Sequence, residues 1–157
     1  QSVTIELASG LDTHDEDWAT NHPASLSAGF NALSQLVTDL ESTPNASGGT
    51  LMDNTTILCF SEFGRTGNIN ARGGRDHNLN SSALMLGAGV PKGVVVGATS
   101  DTGMGSYGID PNTGAVLDGG HIITPTDIHA SMMQSAGFDT SYLRTQGLPC
   151  LMDSGES

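Results

Sequence analysis

The sequence predicts an α/β fold, a mainly parallel sheet flanked by helices, and three features carry that reading. Short apolar runs lack the polar alternation of a half-solvated strand. A long amphipathic stripe separates the first two strand-like segments, and a second helical segment closes the chain. In open sheets of this kind, ligands sit in the loops beyond the carboxyl ends of the strands.

Residues 3–7 alternate apolar and polar side chains and read as the first strand. Leu26, Phe30, Leu33, Val37 and Leu40 recur at helical spacing, with Pro23 at the expected first turn and Pro44 with Gly48 and Gly49 beyond its end. Residues 55–60, 83–86 and 94–96 read as short strands. Between the first two of these, residues 61–80 are rich in Gly, Asn and Arg, a long loop of the sort usually kept for function. Residues 104–120 read as an exposed excursion. A helix is expected over 126–136, with Pro125 at its start and Gly137 at its end. The chain reads as one domain over 1–157, with a flexible tail from about residue 148.

Composition excludes several classes of function. The net charge is −12, and only 14% of residues are charged. A polyanion needs a basic face, so nucleic acid is not the expected partner. No apolar run approaches the roughly 18 residues of a membrane span. Solubility rests on Ser, Thr, Asn and the acid excess, a profile that suits an exported protein. Cys59 and Cys150 make neither a disulfide framework nor a metal cluster.

The chemistry-bearing residues gather in loops after expected strands. Asp12 and His14 lie in the first, Glu62 ends the central strand, and Asp76-His77 closes the long loop. Mixed carboxylate and imidazole donors suit Zn²⁺, with Mn or Fe compatible, whereas all-oxygen sets suit Mg²⁺ or Ca²⁺. Arg65, Arg72 and Arg75 are three of the five basic residues. Ion pairing with Glu62 and Asp76 is one cause for that clustering. An anion-binding fork formed by Arg65 and Arg75 is the other, since guanidinium matches phosphate or sulfate bidentately.

Three ordered motifs, Gly10-Leu11-Asp12-Thr13-His14, Ser61-Glu62-Phe63-Gly64-Arg65-Thr66 and Gly73-Gly74-Arg75-Asp76-His77, resemble a bacterial exported family of unknown function allied to the alkaline phosphatase and sulfatase superfamily. The helix beginning Thr126-Asp127-Ile128-His129 also resembles that family's closing segment. The resemblance implies the carboxyl-terminal half of an alkaline-phosphatase-like fold and a periplasmic or extracellular setting. It implies Asp12, His14 and His77 as ligands of one divalent metal. A second metal would take Glu62 and Asp76, although Phe63 stands where an Asp-His pair would supply a ligand. The superfamily's nucleophile belongs to an earlier part of the chain, and Ser61 is not activated as a replacement.

Two functions follow as expectations. One is a metal-dependent hydrolase of phosphate or sulfate esters, acting on a small anionic ester or an exported macromolecule bearing one, and incomplete without the amino-terminal half or a partner chain. The alternative is a non-catalytic exported binding or assembly module that retains the fold. A Ca²⁺-stabilised surface protein ranks last, because Asp101, Asp110 and Asp118 match no Ca²⁺-loop spacing.

Overall fold

The computed structural model describes residues 1–153 and divides into two compact units. The first comprises Gln1–Leu51 and Phe63–Leu79, and the second comprises Met52–Glu62 and residues from Asn80 onward.

In the first unit, helix α1 (Trp18–Ser42) contains the expected stripe. Its apolar face is thinly covered. Leu33 is buried, Leu26, Val37 and Leu40 are half-buried, and Phe30 is exposed. Pro23 is the sixth helical residue, deeper than the expected first turn. Gly29 explains how the neighbouring chain approaches α1. A Cβ there would stand 2.6 Å from the Leu7 carbonyl oxygen, so residues 7 and 8 run against the helix where a side chain is missing. Of the expected strand over 3–7, Leu7 lies against α1 while Val3 and Ile5 are exposed, and the segment joins no ladder. Strands β2 (Gly64–Arg65) and β3 (His77–Asn78) pair antiparallel, with Arg65 opposite His77. The loop over 61–80 is thus partly folded back on itself.

In the second unit, strands β1 (Thr56–Cys59) and β4 (Leu84–Gly87) form the other sheet. Their register is antiparallel, Thr56 opposite Gly87 through Cys59 opposite Leu84. The expectation of a mainly parallel sheet flanked by helices is overturned: the described residues hold two antiparallel sheets of two strands each. The physical reason lies in the connection. Parallel neighbours need a crossover, normally helical, whereas the Gly- and Asn-rich chain between β1 and β4 holds no helix and brings the strand back antiparallel. Residues 94–96, expected as a strand, form no ladder.

The core of this unit comes from segments that read as exposed. Ile109 is 0% exposed and clusters with Leu148 and Cys150, flanked by Val96, Ile123 and Leu151. Its N–H and carbonyl both pair with His121, at 2.9 Å each. The expected excursion over 104–120 is mostly exposed, with Ile109 and Gly114 buried within it. Residues 148–152 are likewise packed, and Leu148 N–H donates to Ser131 Oγ at 2.9 Å on helix α2 (Pro125–Ser135). The rest of the expected tail, residues 154–157, lies outside the described residues.

Helix α2 begins with a capping box. Thr124 N–H and Oγ1 each donate to Asp127 Oδ2 at 2.7 Å, and His121 Nε2 lies 2.9 Å from the same oxygen. Asp127 is 2% exposed. Burial alone would raise its pKa, but hydrogen bonds from Thr124 and His121 outweigh it and hold the carboxyl below its usual value. Thr124→Ala removes the cap and one donor to this buried carboxylate. It should lower stability by about 1–2 kcal/mol, read as a shift in the urea midpoint at unchanged slope.

Candidate metal centre

The site lies entirely within the first unit and is built on the Asp12 carboxylate. Three side chains converge on its Oδ1: Arg65 Nη2 at 2.9 Å, His14 Nε2 at 2.8 Å and His77 Nε2 at 3.2 Å. Asp12 and His14 come from the segment before α1. Arg65 and His77 come from opposite positions of the β2–β3 ladder, and cross-strand partners present their side chains on the same face. That register brings His77 to a segment more than sixty positions earlier in the chain.

The loops are held together by polar contacts. Thr13, between the two ligand candidates, is 2% exposed, and its Oγ1 lies 3.0 Å from His22 Nδ1 on α1. Burial, and then the nearby charge of Arg65, hold the His22 pKa below its usual value. Gly74 lies directly on the His14 backbone: a Cβ there would fall 2.0 Å from His14 C. Asn70 Nδ2 donates to both His14 O and Asp76 Oδ1 at 2.9 Å, and Asn70 Oδ1 accepts from the N–H groups of Arg72 and Gly74.

Arg65 and Arg75 face inward, whereas Arg72 is exposed. Arg65, with its side chain 10% exposed, donates from Nη2 to Leu11 O at 2.7 Å and from Nη1 to Arg75 O at 2.9 Å, besides its bond to Asp12. Arg75 Nη1 donates to the carbonyls of Thr66 and Gly67, and its guanidinium lies 4.2 Å over the Trp18 ring. Arg72 pairs with Asp15 at 3.0 Å. Phe63 stacks on His77 with centroids 3.7 Å apart, and the Arg65 guanidinium lies 4.9 Å from the Phe63 ring.

Asp12 is held ionised although its side chain is 71% exposed. The Arg65 hydrogen bond, followed by that of His77, takes its pKa from the ordinary 3.8 down to about 2. Because the folded-state pKa is depressed, this contribution to stability is complete above about pH 4 and is lost as the pH falls toward 2. Arg65→Met removes the main cause and keeps a long side chain. The stability difference between wild type and variant should stay constant above about pH 4 and shrink below it. Urea titrations at a series of pH values measure this, and a difference independent of pH down to 2 would contradict the pairing.

The donor set fits a divalent metal. The ligand atoms of Asp12, His14 and His77 all lie within 4.8 Å of one another. Zinc bonds of about 2.1 Å in a tetrahedron put neighbouring ligand atoms about 3.4 Å apart. The contacts of 2.8 and 3.2 Å from Asp12 Oδ1 to the two imidazoles are near that edge. Asp76 lies beside this group, its Oδ1 3.8 Å from His14 Nδ1. The Asn70 hydrogen bond, opposed in part by desolvation, holds its pKa below the usual value. Glu62 belongs to the second unit, is exposed, and accepts a hydrogen bond from Ser61 Oγ at 3.4 Å.

Sequence reasoning named the three convergent residues and missed Asn70, Thr13 and His22 as their supports. An Asn two residues before Arg72 in a Gly-rich loop is an Asx-turn signature, which could have singled out Asn70. The Thr13–His22 contact has no such local signal, because it depends on α1 turning back past the first loop.

No curated protein and no solved structure matches the chain. A family model does match it, across residues 1–156, and the chain belongs to that family, described as a protein of unknown function (DUF1501).

Proposed function

We propose that this chain supplies a mononuclear metal centre, Zn²⁺ by preference, to a metal-dependent hydrolase of phosphate or sulfate esters. The observation that carries the proposal is the convergence of Asp12 Oδ1, His14 Nε2 and His77 Nε2. Three protein ligands of carboxylate and imidazole type leave a coordination position open, as catalytic zinc sites do. When bound, the metal supplies Lewis acidity toward an ester oxygen and makes a water more acidic. Arg65 keeps Asp12 anionic, and Phe63 braces the face of the His77 ring. The resemblance of the three motifs to an exported family of unknown function allied to the alkaline phosphatase and sulfatase superfamily suggests the substrate class and the exported setting. Thr13 does not serve as the attacking hydroxyl, because it is buried against His22.

A non-catalytic binding or assembly role is the second reading, and one observation favours it. Both Nη groups of Arg65 and Nη1 of Arg75, which would grip an oxyanion, are turned to main-chain carbonyls and Asp12. Zinc titration followed by assay on aryl phosphate and aryl sulfate separates the two. One equivalent bound, with ester hydrolysis that disappears in Asp12→Ala, supports the hydrolase. One equivalent with no turnover, even with an amino-terminal half restored, supports the binding module, and no uptake removes both metal-based readings.

A further inference from the structure

We infer that Asp76, aimed by Asn70, is a positioning residue for His14: it faces the Nδ1 edge of the imidazole and leaves Nε2 directed at Asp12. The inference deepens the metal reading above and rests on it for its use.

The two nitrogens of His14 face different carboxylates. Nε2 is 2.8 Å from Asp12 Oδ1, and Nδ1 is 3.8 Å from Asp76 Oδ1. The second distance is too long for a hydrogen bond and acts as a Coulombic contact. An imidazole that coordinates through one nitrogen carries its proton on the other. A carboxylate facing that N–H orients the ring and strengthens the ligand.

Asp76 needs a reason to stay there, and Asn70 provides it. The Asn70 amide offers two donor hydrogens and two acceptor lone pairs, and all four are used. The donors go to His14 O and Asp76 Oδ1, and the acceptors take Arg72 N–H and Gly74 N–H. Rotating the amide by half a turn would set N–H against N–H and oxygen against oxygen, so one orientation is fixed. Asn70 thereby ties the backbone of the ligand it supports to the carboxylate that supports it. The Asp76 backbone is held separately, its N–H donating to Thr66 Oγ1 and its carbonyl accepting from Thr66 N–H. Its side chain, 57% exposed, is thus tied at the backbone and by one hydrogen bond at Oδ1.

The test measures Zn²⁺ affinity by competition with a chromogenic chelator, and the absorption bands of the Co²⁺-substituted protein. Asp76→Ala and Asn70→Asp should each keep one equivalent of metal while lowering affinity about 10- to 100-fold and shifting the cobalt bands. Asp76→Glu should recover part of the loss. Melting temperatures show whether each variant folds, and Asp76→Ala carries the test should Asn70→Asp not fold. Unchanged affinity and bands in Asp76→Ala overturn the inference. Complete loss of the metal in that variant also overturns it, because Asp76 would then be a direct ligand. Should wild type bind no metal, the metal reading fails alone. Positioning is then read from the ¹⁵N shifts of the His14 ring, which should move in both variants, and unmoved shifts reject it.

Discussion

Replacing Asp12 by alanine should lower Zn²⁺ affinity by more than about 100-fold and abolish any ester hydrolysis the protein performs. Losing a residue that only orients a ligand typically costs 10- to 100-fold, and Asp12 is itself the proposed ligand. Its loss also removes the one anion on which three donors converge. Arg65, His14 and His77 would face one another with their shared acceptor gone, and the two imidazole centroids are only 4.7 Å apart. A guanidinium left beside the two imidazoles repels a divalent cation. Asp12→Asn separates the contributions, since an amide oxygen still accepts from Arg65 but carries no charge. It should fold but be less stable than wild type above about pH 4, where the Asp12 charge contributes, and should bind metal poorly. Calorimetric titration with a melting curve for each variant checks the pair. Wild-type affinity in Asp12→Ala would end the three-ligand reading.

Gly74→Ala should damage the same centre without touching a ligand side chain. The added Cβ would stand 2.0 Å from His14 C, 2.2 Å from His14 O and 2.3 Å from Asp15 N. All three are backbone atoms, so no side chain can swing aside. Either the long loop or the Asp12–His14 segment must move. Overpacking of this kind typically costs about 1–3 kcal/mol, and a clash this close with a peptide group puts this variant at the upper end. Metal affinity should fall at least about tenfold, the loss expected when the support of a ligand is disturbed. Urea unfolding gives the first number and chelator competition the second. A variant with wild-type stability and affinity would mean that the two loops are not in contact at Gly74.

Parts of this molecule were legible in the sequence for local reasons. The stripe from Leu26 to Leu40 announces α1 because helical spacing is a property of neighbours along the chain. Pro125 and Gly137 bracket α2 because each acts through its own backbone. The error about the sheet arose where pairing is decided at a distance. Apolar runs at 55–60 and 83–86 do identify strands, yet nothing within them states the direction of their neighbour. Burial was misread for a similar reason. Ile109 sits among glycines and aspartates and looks exposed, but its two bonds to His121 and its contact with Leu148 and Cys150 make it the centre of its unit.

The candidate site divides along the same line. Acid–histidine pairs in loops selected Asp12, His14, Asp76 and His77 from chemistry alone, since few residue types can bind a transition metal. The sequence by itself determined the helices, the strand segments at 55–60 and 83–86, the acidic character and the candidate ligand types. All of these depend on side-chain identity and on spacing over a few residues. Only the tertiary structure decided which candidate ligands meet, which carboxylate faces which nitrogen, and that Arg65 and Arg75 turn inward. Those outcomes follow from the Arg65–His77 register, the bare surface of Gly74 and the four bonds of Asn70, each joining segments far apart in the chain.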